Sequence, residues 1–265
     1  MAESDKIATV AETTLAKYAP SGVQDFALIK AENLDTSMLA GAEDPRDIFP
    51  IYKVPSGGGK FFQPPADSDL DPPSEIRGVP LVIQSTRVMW RSDDVNNTAP
   101  DCASRDRVRG FGAHRAGDPP QEHMCAGCPF DEWGTGKDGR GKRCKIKTPM
   151  FILPVDSVLP IGIVAPVTGE KALNQLRTSL FKAQVPFQRV ILRLTLTPDK
   201  NRDGTPYSRI QIALDRDENK RLRVLTDDDL ALMRSKIAAF SAALTPDAAV
   251  RAAAAETDNA ETRSY

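Results

Sequence analysis

All four cysteines of this 265-residue chain fall in one stretch, as Cys102, Cys125-Ala-Gly-Cys128 and Cys144. Two thiols three residues apart can turn both sulfurs toward one ion from a single knuckle, while loops bring in the outlying two. A tetrahedral zinc site on Cys102, Cys125, Cys128 and Cys144 is therefore the expected arrangement, with Zn2+ as cofactor. Gly, Pro and Asp crowd the stretch, so closure on a metal would replace a core that it lacks. His114 and His123, the only histidines, lie between the outer cysteines, which leaves a three-cysteine, one-histidine set open. Two disulfides are disfavoured because no signal-peptide pattern opens the sequence and a reducing compartment is expected. A thioredoxin-type pair would open a helix, whereas Cys128 runs on into Pro129-Phe130-Asp131-Glu132-Trp133-Gly134.

The net charge of −1 conceals a segregation. Residues 1–75 carry a net −7, residues 76–213 a net +8 and residues 214–265 a net −2. A basic middle between acidic ends points to a surface for polyanions flanked by segments able to compete for it. Apolar content of 40% with 27% charged residues is globular, and no apolar run is long enough to cross a bilayer. A soluble cytoplasmic protein without membrane contacts is expected.

Periodicity places the regular elements around the cysteine stretch. Residues 1–45 have only a loose helical pattern and read as a weakly ordered acidic arm. Proline and glycine punctuate the next part and allow only short edge strands, over 48–54 and 60–63. Val79-Pro80-Leu81-Val82-Ile83 opens strand signal that continues to Trp90, and 148–153 and 159–164 are short apolar runs around Pro154 and Asp156. Thr168 is expected to cap a helix to about Gln184, with Leu173, Leu176, Leu180 and Phe181 as its stripe. The cleanest alternation follows. Over 189–197, Val190, Leu192, Leu194 and Leu196 take one face, leaving Arg189, Ile191, Arg193, Thr195 and Thr197 on the other. Over 207–214, Ile210, Ile212 and Leu214 face in, and Tyr207, Arg209 and Gln211 face out, with a hairpin turn over 198–204 between the strands. Thr226-Asp227-Asp228-Asp229 starts a last helix over about 226–243, with Leu230, Met233, Ile237 and Phe240 as its packing stripe.

This order predicts an α+β, mainly β fold, an OB-like barrel with a zinc-binding loop insertion and a C-terminal helix. The domain spans 46–245, with the zinc insert at 100–147 and a disordered tail at 246–265.

Cys102, Cys125-Ala-Gly-Cys128-Pro129, Trp133-Gly134 and Gly141-Lys142-Arg143-Cys144-Lys145, followed by an apolar strand ending in Leu153-Pro154, resemble a family of bacteriophage and mobile-element proteins. The likeness covers roughly 76–215 and implies single-stranded DNA binding, in the host cytoplasm if the chain is phage-encoded. More distantly the chain looks like the zinc-containing single-stranded DNA-binding proteins of T-even phages, which place a zinc loop on an OB fold. It departs from them in cysteine spacing and in lacking a histidine ligand. The acidic tail typical of phage proteins is also diluted here, since Glu256, Asp258 and Glu261 alternate with neutral residues and Arg263.

The residues themselves support the same expectation, because sequence-tolerant binding to single strands needs cations for phosphates and aromatic faces for bases. The insert offers Lys137, Arg140, Lys142, Arg143, Lys145 and Lys147, with Arg105, Arg107, Arg109, Phe111 and Trp133 nearby. Arg189, Arg193, Tyr207 and Arg209 would extend the surface across the paired strands. Phe130 and Trp133 have a second role open to them, as the small core over the zinc knuckle. Single-stranded DNA, with RNA as a second option, and proteins of replication or recombination complexes are the expected partners. The alternative is a non-enzymatic adaptor whose zinc module docks such a protein. An enzyme is not expected, because no catalytic constellation is recognisable and four thiolates leave zinc no open position.

Overall fold

The computed structural model describes residues 18–20, 26–27, 48–66, 68–91, 100–201 and 204–238. The expectations for the rest of the arm, for Phe240 and for the tail at 246–265 lie outside those residues.

The fold is built on β8 (Lys145–Pro154), whose residues 148–154 are all buried. Such a strand must be paired on both edges and covered on both faces, and an unbroken apolar run is the sequence that tolerates this. One edge pairs with β9 (Ile161–Ala165), which in turn pairs in parallel with β2 (Ile51–Tyr52). The other edge takes β3 (Glu75–Ile83) and then β4 (Thr86–Met89), which together run antiparallel along nearly its whole length. At Gly78 the two backbones come so close that a Cβ would stand 2.2 Å from the Leu153 carbonyl oxygen, so no other residue fits there. Beyond β3 lie β10 (Leu192–Lys200) and β11 (Pro206–Leu214), a hairpin in the expected antiparallel pairing. The strand continues to Lys200, through part of the stretch read as a turn, and the Asn201 N–H then donates to the Thr205 carbonyl at 3.0 Å.

Both faces of the sheet carry a core, because successive side chains of a strand alternate. Met150 and Ile152 join Leu192, Leu194, Leu196 and Ile210 under α1 (Val167–Ala183), through Leu173, Leu176 and Leu180. Phe151 and Leu153 join Val79, Val164 and Ile191 on the opposite face, covered by Phe26, Phe49, Leu225 and Met233 of α2 (Asp227–Ile237). The predicted capping box of α2 is present: the Asp229 N–H donates to Thr226 Oγ1 and the Thr226 N–H to Asp229 Oδ2, each at 3.1 Å. From the arm, β1 (Tyr18–Pro20) pairs in parallel with β12 (Leu222–Val224), and Phe26 is buried. At least these parts of the acidic arm are docked rather than loose.

Four expectations need correction. The sheet is open, its path ending at β11 and at residues Gln121–Met124 of the cysteine insert, and no pairing among the described residues closes it into an OB-type barrel. Ile191 does not share a solvent face with the arginines, since the second core takes it up. Phe181 is not part of the α1 stripe and stands 85% exposed, one residue past the buried Leu180. The helix starts at Val167 with Pro166 as its cap, not at a Thr168 cap.

Phe151 is fully buried and meets Phe49 edge to face, with ring centroids 5.9 Å apart. Phe151→Ala should therefore cost about 3–5 kcal/mol in chemical denaturation, the range for an unrelaxed aromatic cavity.

Candidate metal centre and nucleic-acid surface

The insert between β4 and β8 is a strand meander, not a loop. β4 pairs with β5 (Cys102–Ser104), β5 with β6 (Arg109–Gly112) and β6 with β7 (Gln121–Met124). Sequence reasoning missed all three strands because they are three or four residues long and polar on one face. The register sets Arg87, Met89, Cys102, Ser104, Gly110 and His123 along one face of this meander. Across that face folds the knuckle, in which the Cys128 N–H donates to the Cys125 carbonyl at 3.3 Å and Pro129–Asp131 form a turn of 3-10 helix. The Cys144 N–H donates to the Phe130 carbonyl at 2.8 Å and so delivers the last thiol as β8 begins.

All four cysteines thereby line a single cavity of about 20 Å³, room for roughly one water-sized sphere. The thiols are unbridged by disulfide. Gly110 lies beneath them, where a Cβ would meet Cys102 Sγ at 3.0 Å and press on that thiol. Burial pushes the Cys102 thiol up to about 12 and the Cys144 thiol up to about 11, and the other cysteines push both the same way. Four soft donors in one small cavity are a donor set that a divalent soft cation would complete. As the side chains stand, no three His, Cys, Asp or Glu among the described residues have the arrangement of a formed metal site. A cysteine sulfur moves by rotation about its Cα–Cβ bond, so the backbone sets the capacity of the cavity and the present rotamers do not.

The histidines lie at the rim, stacked with ring centroids 3.6 Å apart. His123 Nε2 is 3.0 Å from the Gly112 carbonyl oxygen and His114 Nε2 is 4.0 Å from Cys128 Sγ. Burial and the neighbouring His123 hold His114 below the usual imidazole range. Phe130 lines the cavity and meets His114 edge to face at 5.1 Å, the packing role left open for it. Trp133 takes no such role, being 81% exposed.

A half-buried charge cluster, with no signal in the sequence, lies against the cavity. Arg87 Nη1 is 2.7 Å from Asp131 Oδ2, and Lys142 Nζ donates to Asp131 Oδ1 at 3.1 Å. Burial opposes ionisation of Asp131, but Arg87 and Lys142 outweigh it and hold the carboxyl below its usual range. Burial likewise opposes the Arg87 charge, which Asp131 and then Cys144 and Cys125 favour more strongly, so that its pKa is raised.

The expected nucleic-acid residues divide into two sets. Arg143 donates to the Thr135, Trp90 and Arg91 carbonyls and sews the knuckle to the end of β4. Lys142 is held by Asp131, Arg107 by Glu170 of α1, and Arg109 by Glu122. On the β10–β11 face Arg193 pairs with Glu75 at 2.6 Å and Arg209 with Asp199 at 2.9 Å, while Tyr207 donates to Asp199. Arg189 lies in a turn before β10 and pairs with Asp227 at the start of α2, away from that face. In contrast, Lys137 and Arg140 are exposed with no side-chain partner among the described residues. Both project from the loop carrying Trp133, which closes on itself as the Gly134 N–H donates to the Gly141 carbonyl at 2.8 Å. Phe111 stands 65% exposed on the meander, and Arg105 is exposed beside it, its carbonyl accepting from Gln84. Lys145 and Lys147 are half-buried at the head of β8.

Comparison with family models, with curated proteins and with solved structures finds no match. Among the described residues no helix is long and apolar enough to cross a membrane.

Neither core cluster contains a residue of 100–144. Cys125→Ser should therefore loosen the insert, seen as faster amide exchange across β5–β7, while β8, β9 and β10 stay protected. Loss of protection in β8–β10 as well would show that the cysteine cavity is integral to the core.

Proposed function

We propose that the chain is a zinc-containing, sequence-tolerant single-stranded DNA-binding protein of replication or recombination, with Cys102, Cys125, Cys128 and Cys144 holding one zinc ion. The zinc would fix the knuckle and do no chemistry, since four thiolates leave it no open position. The observation that carries the proposal is the loop from Trp133 to Gly141. It presents an indole ring that is 81% exposed, beside two cations, Lys137 and Arg140, that no carboxylate among the described residues engages. Exposed aromatics are costly to leave in water, and a stacked base would cover this one while phosphates meet the cations. Phe111 and Arg105 offer a second stacking and charge position on the same insert. The β10–β11 face contributes less, because a phosphate there would have to displace Glu75 or Asp199. Reduced thiols agree with a cytoplasmic location.

A second reading, the adaptor, draws on Phe181, which leaves an apolar ring exposed on α1 with no role in DNA binding. One set of variants separates the two. Trp133→Ala should weaken binding to a single-stranded oligonucleotide by about 1–3 kcal/mol with melting temperature and zinc content unchanged. Lys137→Glu and Arg140→Glu should weaken it for all sequences alike and lower the salt slope by about one phosphate per lost contact. Arg193→Glu and Arg209→Glu should do less. Affinity unchanged in the three insert variants would remove the DNA reading and leave the adaptor.

A further inference from the structure

We propose that Arg87 is the charge-balancing residue of the cysteine site, its Nε and Nη1 N–H groups donating to the sulfurs of Cys144 and Cys125 when these hold a metal. The inference rests on the four-cysteine metal reading. A divalent ion with four thiolates carries a net charge of −2, and burying that charge demands hydrogen-bond donors around the sulfurs. Three of the ligand cysteines' own backbone N–H groups are engaged elsewhere: the Cys125 N–H donates to the Val108 carbonyl at 2.8 Å, that of Cys144 to Phe130 at 2.8 Å, and that of Cys128 to Cys125 at 3.3 Å. That leaves a share of the work to side chains.

Arg87 is placed for it. Its side chain is 15% exposed and lines the cavity with the four cysteines. Nε is buried with no hydrogen-bond partner among the described residues, and Nη1 lies 2.7 Å from Asp131 Oδ2 without hydrogen-bond alignment. A guanidinium left with buried, unanswered N–H groups is expensive unless an acceptor comes to them, and ionised sulfurs are the acceptors that the cavity provides. Asp131, anchored also by Lys142, fixes the other side of the guanidinium and so aims it. His114 Nε2 lies 4.0 Å from Cys128 Sγ and in its Nε2–H tautomer would be a corresponding donor. Arg87 belongs to β4, and its register opposite Ser104 and Ile146 fixes it on the cavity face whatever the knuckle does.

The test measures zinc affinity of the full chain by competition with a chromophoric chelator. Arg87→Met and Arg87→Gln, both uncharged, should bind zinc about 10–100-fold more weakly, with the release rate raised in step. Asp131→Asn, which breaks the ion pair but leaves the guanidinium, should keep wild-type affinity. Should Arg87→Met fail to fold, Arg87→Gln decides, since it keeps one N–H donor and the polar volume. Wild-type affinity in either folded Arg87 variant overturns the proposal, as does an equal loss in Asp131→Asn, which would make Arg87 merely half of a structural ion pair. A wild-type protein that binds no zinc fails the metal reading itself and is recognised before any variant is compared.

Discussion

The pairing of β8 along both edges is the constraint on which everything else depends. Its last seven residues are buried in the two cores and its first three emerge beside Cys144. One uninterrupted strand thus sets the cysteine cavity at a fixed distance from the packed sheet, and β3 with β4 repeats the arrangement on the neighbouring edge. The insert needs no core of its own because it hangs from the ends of strands that have one. Arg107 to Glu170 and Arg143 to the Trp90 and Arg91 carbonyls tie it to α1 and to the end of β4. Exposed ion pairs are worth little individually. These are half-buried and reach across elements, so their effect is to orient the insert.

The distribution of positive charge follows from the same constraint. An insert none of whose residues 100–144 joins either core cluster holds its shape largely through polar contacts, so part of its basic residues is consumed internally. Lys142 and Arg143 are structural for this reason, one engaging a carboxylate and the other carbonyls. What remains facing water is a smaller set at the loop tip and on the meander, with Trp133 and Phe111 among it. The net +8 of the middle segment therefore overstates what a polyanion would meet.

Much of the fold was legible where side-chain period and burial coincide. The alternation of Leu192, Leu194 and Leu196, the Thr226 cap and the 148–153 run all emerged as read, within a few residues at their ends. The open sheet, where a barrel was expected, was not legible because closure depends on which edges pair, and the order of elements does not encode that. β5, β6 and β7 were hidden because their stability comes from register against β4 and not from their own composition. The cysteine cluster was visible in spacing alone. Its neighbours Arg87 and Asp131 were not, since the first lies on a strand 15 residues before Cys102 and only the pairing of β4 brings it there. Phe181 misled for the opposite reason: its spacing suits a stripe wider than the one that α1 buries.

The central claim is that the insert is closed by a metal on four sulfurs. X-ray absorption at the zinc edge, on protein expressed and purified without added metal, tests it most directly. Four sulfur scatterers at about 2.3 Å with no nitrogen shell is the result expected of four thiolates. A nitrogen at about 2.0–2.1 Å would replace a cysteine with His114 or His123, and protein devoid of zinc would contradict the account.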